Sequence, residues 1–246
     1  MNFTMKLAEI SFGVTCLHGS TKTFCADYLT DDAPAFAVAL TRQDIDRERE
    51  ISRRQDIWDG VPVRAFTDAY LETIALYRKL AEPLLNRRCM IFHGAVAAVD
   101  GECYLFTAKS GTGKTTHTKL WEKNIPNSYI LSGDKPLIQV GDRSIIAYGT
   151  PWRGKEAYGV NQGLPLKAVC VLQRSRDNHI EAIEAGQAYP VLYQQAHHVE
   201  SVEGMELTMQ LLDTLARQVP MYRLGCNMQD EAALLAYRAM SGRNGT

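Results

Sequence analysis

Over the first 40 residues, short apolar runs are broken at His18-Gly19-Ser20 and Asp31-Asp32-Ala33-Pro34, a pattern that predicts a few strands. From Arg42 to Glu50, continuing to Arg53-Arg54, charges alternate in sign and predict a solvated helix or loop face. Over 65–82 the apolar period becomes helical. Phe66, Tyr70, Ile74, Tyr77 and Ala81 fall on one face, and Pro83 is expected to end the helix. Met90 to Val99 is a nearly unbroken apolar run. Asp100-Gly101 follows it, a pair suited to a type I′ turn because both central positions need positive φ. Glu102–Thr107 should return as the second strand of that hairpin. A Gly-rich loop comes next, then a helix over about 114–123. Further strands are expected at 128–132, 136–140, 143–148 and 166–173, with Gly141-Asp142 turning the middle pair. The C-terminal third reads as mostly helical. Met205, Met209, Leu212, Ala216 and Val219 form one apolar stripe, 230–240 a second helix, and Met221–Leu224 a strand between them. The methionines of the stripe are core filler.

Composition narrows the classes. The chain has 246 residues, 46% hydrophobic and 22% charged, with a formal net charge of −1. That length buries a real core as one large domain or two small ones. A balanced charge argues against a nucleic-acid partner, which would call for a basic excess, and the chain is too apolar for disorder. The six cysteines form no CxxC pair, and several sit in apolar runs such as Cys89-Met90-Ile91-Phe92. They read as free buried thiols, which implies a reducing compartment. Met1–Ile10 lacks the pattern of a signal peptide, and no apolar stretch nears the ~20 residues that span a bilayer. The expected location is cytoplasmic, with no membrane partner.

The chemistry concentrates in Thr107-Ala108-Lys109-Ser110-Gly111-Thr112-Gly113-Lys114-Thr115-Thr116. Ser110 to Thr116 match the second half of a Walker A loop, between an apolar strand and a helix. Small residues let successive backbone N–H groups converge on phosphate oxygens, and the start of the helix adds partial positive charge. Lys114 would meet the β- and γ-phosphates and the Thr115 hydroxyl would bind Mg²⁺. Ala108 replaces the usual first glycine and fits if its φ is negative. Nineteen residues after Thr115, the apolar strand Tyr129-Ile130-Leu131-Ser132 leads to Gly133-Asp134-Lys135-Pro136. A strand parallel to and beside that of the loop would bring Asp134 to the same sheet edge, where ligands bind in α/β folds. There Asp134 could take a proton from an attacking hydroxyl or hold Mg²⁺; the competing reading is a turn aspartate.

With these residues in view, the sequence resembles the HPr kinase/phosphorylase and phosphoenolpyruvate carboxykinase superfamily over roughly residues 88–175. The resemblance rests on His93-Gly94, Ser110–Thr116, Leu131-Ser132-Gly133-Asp134 and Gly149-Thr150-Pro151-Trp152-Arg153-Gly154-Lys155-Glu156. It implies an α/β fold with a mixed, curved sheet, a P-loop and C-terminal helices. Residues 1–85 would be a strand and helix elaboration packed on a core of 86–246. It implies that Lys114 and Thr115 bind phosphate and Mg²⁺, that Asp134 is the base, and that His93 stands near it; a buried, hydrogen-bonded histidine is the alternative for His93. The first acid of the strand-end pair is Gly133 here, which takes away one expected metal ligand or acceptor. In 149–156, Arg153 and Lys155 could clamp a phosphoryl group or an acidic substrate, Glu156 could replace the absent acid on the metal, and Trp152 could pack on adenine or close the site. Pro151 would stiffen the approach, while Gly149 and Gly154 would allow unusual φ. A solvated hairpin tip is the alternative for this loop.

The implied activity is a Mg·ATP-dependent kinase whose acceptor is a hydroxyl, serine foremost, whether free, in a peptide or in a small protein. A nucleotide-gated binding module with little turnover is the second reading, motivated by Gly133. Carboxykinase chemistry would need a second metal with Lys and His ligands that have no counterpart here. His117 reads as structural or solvent-facing, and His197-His198 as part of a helix without a spaced metal partner. Relatives form oligomers, which leaves a homo-oligomer open.

Overall fold

A computed structural model of the chain describes residues 1–242. It divides into two compact units, Met1–Pro83 and Leu84–Thr246.

In the first unit, strands β1 (Asn2–Leu7) and β2 (Ile10–Thr15) form an antiparallel hairpin. After a short helix α1 (Gly19–Phe24), β3 (Phe36–Ala39) adds parallel to β2. The alternating-charge run is helix α2 (Arg42–Trp58), opened by a Thr41/Asp44 capping box. Its charged face is only partly solvated. Buried Glu48 is paired with Arg78, and Asp44 Oδ2 with Lys79 Nζ at 2.7 Å, both from helix α3 (Asp68–Leu85). Glu72 of α3 is fully buried and accepts from Leu17 N at 2.6 Å, His18 N at 3.0 Å and Thr21 Oγ1, which ties the backbone entering α1 to α3. Pro83 lies inside α3 rather than ending it. So near the C-terminus it removes one donor, and the helix continues less than a turn beyond it.

The second unit is built on a mixed, curled sheet. Its first strands are β4 (Cys89–Ile91), β5 (Ala95–Val99) and β6 (Glu102–Thr107). The apolar run 90–99 is therefore two strands, parted at Phe92-His93-Gly94. A Cβ on Gly94 would meet Leu105 Cδ1 at 2.6 Å and Phe106 O at 3.0 Å, so only glycine lets the chain cross there. Asp100 (φ 54°) and Gly101 (φ 80°) make the β5–β6 turn. Helix α4 (Lys114–Asn124) follows the loop, then strands β7 (Tyr129–Ser132), β8 (Leu137–Val140), β9 (Ile145–Tyr148), β10 (Gly163–Arg174) and β11 (His179–Ile183). Helices α5 (Ala185–Gln195) and α6 (Val202–Gln218), strand β12 (Met221–Cys226) and helix α7 (Asp230–Ser241) complete it.

Strand order is β4-β8-β9-β10-β6-β5-β7, with β12 beside β10 and β11 beside β12. Long β10 makes the fork. Its start pairs antiparallel with β9, while its later residues run parallel to β6 and β12. Helices α4 and α7 cover one face over Tyr104, Phe106, Cys170, Leu172 and Leu224. Two expectations change here. His197-His198 follow α5 in extended chain, where Ala196 bridges to Phe92 and His197 N donates to Ile91 O at 2.9 Å. And β7 is not the neighbour of β6, because β5 lies between them. Two antiparallel steps still leave β7 running in the direction of β6, so both end at the same edge. All six cysteines are free, and among the described residues no helix is long and apolar enough to cross a membrane.

His117, in the first turns of α4, is buried in this core. It packs edge-on to Phe106 at 4.6 Å and accepts from Trp121 Nε1 on Nε2 at 3.1 Å, while its Nδ1 meets no partner among the described residues. Burial pushes its pKa down to about 4 from 6.5. The unfolded chain therefore takes up a proton that the folded one refuses. Stability is intact above pH 6.5 and falls as pH drops from 6.5 toward 4, by about 3 kcal/mol over the interval. His117→Gln, which keeps an acceptor for Trp121, should lack that part of the slope in denaturant titrations at pH 7 and pH 4.5. Equal slopes would mean that His117 is protonated in the fold.

Candidate functional site

The loop between β6 and α4 is shaped by its glycines. Gly111 (φ 78°) and Gly113 (φ 121°) adopt backbone that other residues resist, and nothing stands within 4 Å of where a Cβ would project. Ala108, in contrast, is buried and does not have positive φ, so alanine is accommodated. Gly113 is the N-cap of α4 and supplies no side-chain cap. Hence the first N–H groups of the helix lack a side-chain acceptor and a helical partner. Lys114 is buried at this point and its Nζ donates to Ala108 O at 2.9 Å. Burial lowers its pKa, the Asp134 carboxylate works against that, and Lys135 adds to it. Ser110 and Thr116 are exposed, and Thr112 and Thr115 half-buried. Thr112 Oγ1 closes the loop on Lys109 O at 2.8 Å. Arg174, from the end of β10, donates through Nη2 to Gly111 O at 2.5 Å and braces the loop from outside.

Asp134 follows β7 at the same edge. Its Oδ1 is 3.3 Å from His93 Nε2 and its Oδ2 3.9 Å from Lys135 Nζ. Burial would raise its pKa. The His93 hydrogen bond and the charges of Lys135, His93 and Lys114 outweigh burial and hold it below the ordinary 3.8. His93 is itself held on three sides. Nδ1 faces Gln195 Oε1 at 2.7 Å, the backbone N donates to Gln195 O at 2.8 Å, and the backbone O accepts from Thr107 Oγ1 at 3.1 Å. Gly94 N donates to Asp134 O at 2.9 Å. The end of β6, the crossing before β5, the end of β7 and the end of α5 are thus tied into one set.

The 149–162 segment joins β9 to β10 and folds back on the end of β7. Gly133 N donates to Tyr158 O at 3.0 Å, Val160 N to Leu131 O at 3.1 Å, and Ser132 bridges to Gly159. Gly154 (φ 77°) lies against Asp134: a Cβ there would be 3.1 Å from Asp134 Cβ. Gly149 needs glycine for space rather than φ, since a Cβ would fall 1.9 Å from Val160 O. Trp152 is buried. Half-buried Arg153 presents its carbonyl to Gly133, while Lys155 is exposed. Glu156 is engaged by Lys119 at 3.3 Å, with the Lys119 ammonium 4.9 Å above the Tyr158 ring. The structure therefore gathers His93, Lys114 and Asp134, and sets Glu156 in a separate ion pair. Among the described residues no three His, Cys, Asp or Glu side chains converge as a metal cage.

Three members of this site had no part in the sequence reading. Lys135 stood in view within Gly-Asp-Lys-Pro but read only as a turn. Arg174 could be suspected as a cation closing an apolar strand run. Gln195 carries no local signal, for only the tertiary fold brings it to His93.

The family model described as SynChlorMet cassette protein ScmC matches residues 68–231, from the start of α3 to the start of α7. No curated protein matches the chain. Among solved structures, the Hpr(Ser) kinase/phosphatase from Coxiella burnetii is similar at 12% identity and a TM-score of 0.34, over 62% of this chain and 93% of that one. A likeness so slight settles neither fold nor chemistry.

Proposed function

The chain belongs to the SynChlorMet cassette protein ScmC family, and for this member we propose an ATP-dependent phosphotransferase that moves the γ-phosphate to a hydroxyl, serine foremost. One observation carries the reading. An uncapped helix start behind an open Gly-rich loop, the buried ammonium of Lys114 and the His93–Asp134 pair all belong to one sheet edge. That set fits a triphosphate. Open space over Gly111 and Gly113 leaves backbone donors accessible, and Lys114 adds a full charge with only a carbonyl to give up. When bound, Mg·ATP supplies the phosphoryl group and neutralises the charge of its phosphates. Thr115 would be this chain's donor toward Mg²⁺, which ordinarily keeps several waters and phosphate oxygens besides.

The chain's own residues do the rest. Lys114 exchanges the Ala108 carbonyl for phosphate oxygens. Asp134, ionised at neutral pH, accepts the hydroxyl proton as the new O–P bond forms and the bond to ADP breaks. His93, fixed by Gln195, orients the carboxylate through Oδ1 and leaves Oδ2 for the acceptor. Arg153 and Lys155 are the remaining cations of the back-folded loop for an acidic substrate or the transferring group. The free amino acid, a serine peptide and a small carrier protein are the acceptor classes. A transfer screen with γ-³²P-ATP over these classes tests the reading, and labelled product with any of them is expected. Glycine at 133, where the resembled strand-end pair has an acid, favours one alternative, a nucleotide-gated binding module. ATP binding with no product from any acceptor would select it.

A further inference from the structure

A cavity of about 340 Å³ opens beside the loop, at the C-terminal ends of parallel β6 and β10. Ala108, Val171 and Val191 are among its apolar lining, Gln173, Gln194 and Lys109 among its polar lining, and Arg174 joins it to Gly111. Its size is that of a small-molecule site, and its position is where open α/β sheets hold ligands. No acidic side chain lines it.

Strand order decides what such a site can hold. The cavity lies over β10 and β6, while Asp134 follows β7 on the far side of β5. At about 4.8 Å per strand, the ends of β10 and β7 are three intervals, roughly 14 Å, apart. The Gly-rich loop rises from β6 between them. A ligand with its terminal phosphate beside Asp134 and its other phosphates on the loop must carry its remaining end toward β10. The geometry points to this cavity as the nucleoside pocket of the site, which takes the base and ribose while loop 108–113 takes the phosphates. This inference rests on the phosphotransferase reading.

The chemistry of the lining agrees. The flat faces of a base bury well against Ala108, Val171 and Val191, and neutral amides offer both a donor and an acceptor to its edge. Arg174 links pocket and loop, since the guanidinium that lines the cavity also holds Gly111 O. The other candidate occupant, the hydroxyl acceptor, is disfavoured by His93. Gln195, in the cavity wall, holds Nδ1, and Asp134 lies against Nε2 on the other side of the ring. The imidazole thus stands between the cavity and the carboxylate, and a hydroxyl bound there would not reach its base.

The test is calorimetric binding of Mg·ATP and of Mg·tripolyphosphate to the full chain, which reads affinity without turnover. Val191→Trp fills the cavity. It should weaken ATP about tenfold or more, the effect of losing roughly 1.4 kcal/mol, and leave tripolyphosphate unchanged. Unchanged tripolyphosphate binding also shows that the variant is folded. Gln173→Ala with Gln194→Ala, at exposed positions, should shift ATP affinity in the same direction and spare tripolyphosphate. Should Val191→Trp misfold, this double variant decides alone. ATP affinity unchanged in a folded variant overturns the proposal, as does intact ATP binding with a raised acceptor KM, which would make the cavity the acceptor site. If the wild-type chain binds neither probe, the phosphate-loop reading itself falls, and that result is distinct from the other two.

Discussion

Asp134→Asn is expected to keep ATP binding and to lower turnover by roughly 10²–10⁴-fold, the scale of losing a general base in proton transfer. Asparagine keeps the shape of the side chain and an oxygen for His93 Nε2, which lies 3.3 Å away in the native site. What it loses is the ability to accept a proton from the acceptor hydroxyl. On the proposed function, nucleotide affinity would reside elsewhere, in the loop, Lys114 and the start of α4, so the Kd for ATP and the kcat should part company. The pH dependence follows from the same geometry. With its carboxyl held below 3.8 by His93, Lys135 and Lys114 against the opposing effect of burial, Asp134 is ionised at every pH where the protein is handled. Its own protonation therefore limits turnover only below that range, and no acid limb from this group should appear near neutrality. Measured kcat and ATP affinity for both forms decide the matter. Wild-type turnover in the Asn variant would remove Asp134 from the role of base.

Legibility in the sequence was uneven, and its limits have physical causes. The β5–β6 hairpin was readable because Asp100-Gly101 is a local signal whose φ requirement is met within the turn itself. The loop was readable because its glycines and Lys114 act through their own backbone and its immediate neighbours. The position of Asp134 at the correct edge was readable, but not its neighbour. Pairing partners are chosen across the sheet, and β5, which precedes β6 in the chain, enters between β6 and β7. His93-Gly94 looked like part of one apolar strand, because a crossing forced by close approach to Leu105 and Phe106 leaves no mark on hydropathy. Helix α5 is covered only by the general expectation that the C-terminal third is mostly helical, with no bounds of its own. Its Gly186 and Pro190 look like breakers, yet its end supplies Gln195, the residue that fixes His93 from 102 positions away. The long-range members of the site were the ones that sequence could not assign.

Gly133→Asp should fail to restore the acid that the resembled strand-end pair leads one to expect. At Gly133 the backbone φ is not positive, so conformation would permit another residue; space does not. A Cβ would fall 2.7 Å from Arg153 O, 3.0 Å from Tyr158 O and 3.4 Å from Tyr158 Cβ. The first two are backbone oxygens, and they belong to a segment held down by Gly133 N to Tyr158 O, Val160 N to Leu131 O and the Ser132–Gly159 bridge. No rotamer change relieves such a contact. Either the 153–159 segment lifts off β7, or the carboxylate is forced against two carbonyl oxygens. Overpacking costs about 1–3 kcal/mol, and burying a carboxylate among acceptors adds to it, so the variant should lose roughly 4 kcal/mol or more. Gly133→Ala should lose part of that through the Cβ alone, which separates steric from electrostatic cost. Neither substitution should tighten Mg·ATP. A Gly133→Asp chain that melts with the wild type and binds Mg·ATP more tightly would show that the segment yields. Otherwise the missing acid and the back-folded loop are one adaptation. Glycine at 133 is what allows Arg153 to Gly159 to close on the strand end and set Gly154 against the side chain of Asp134.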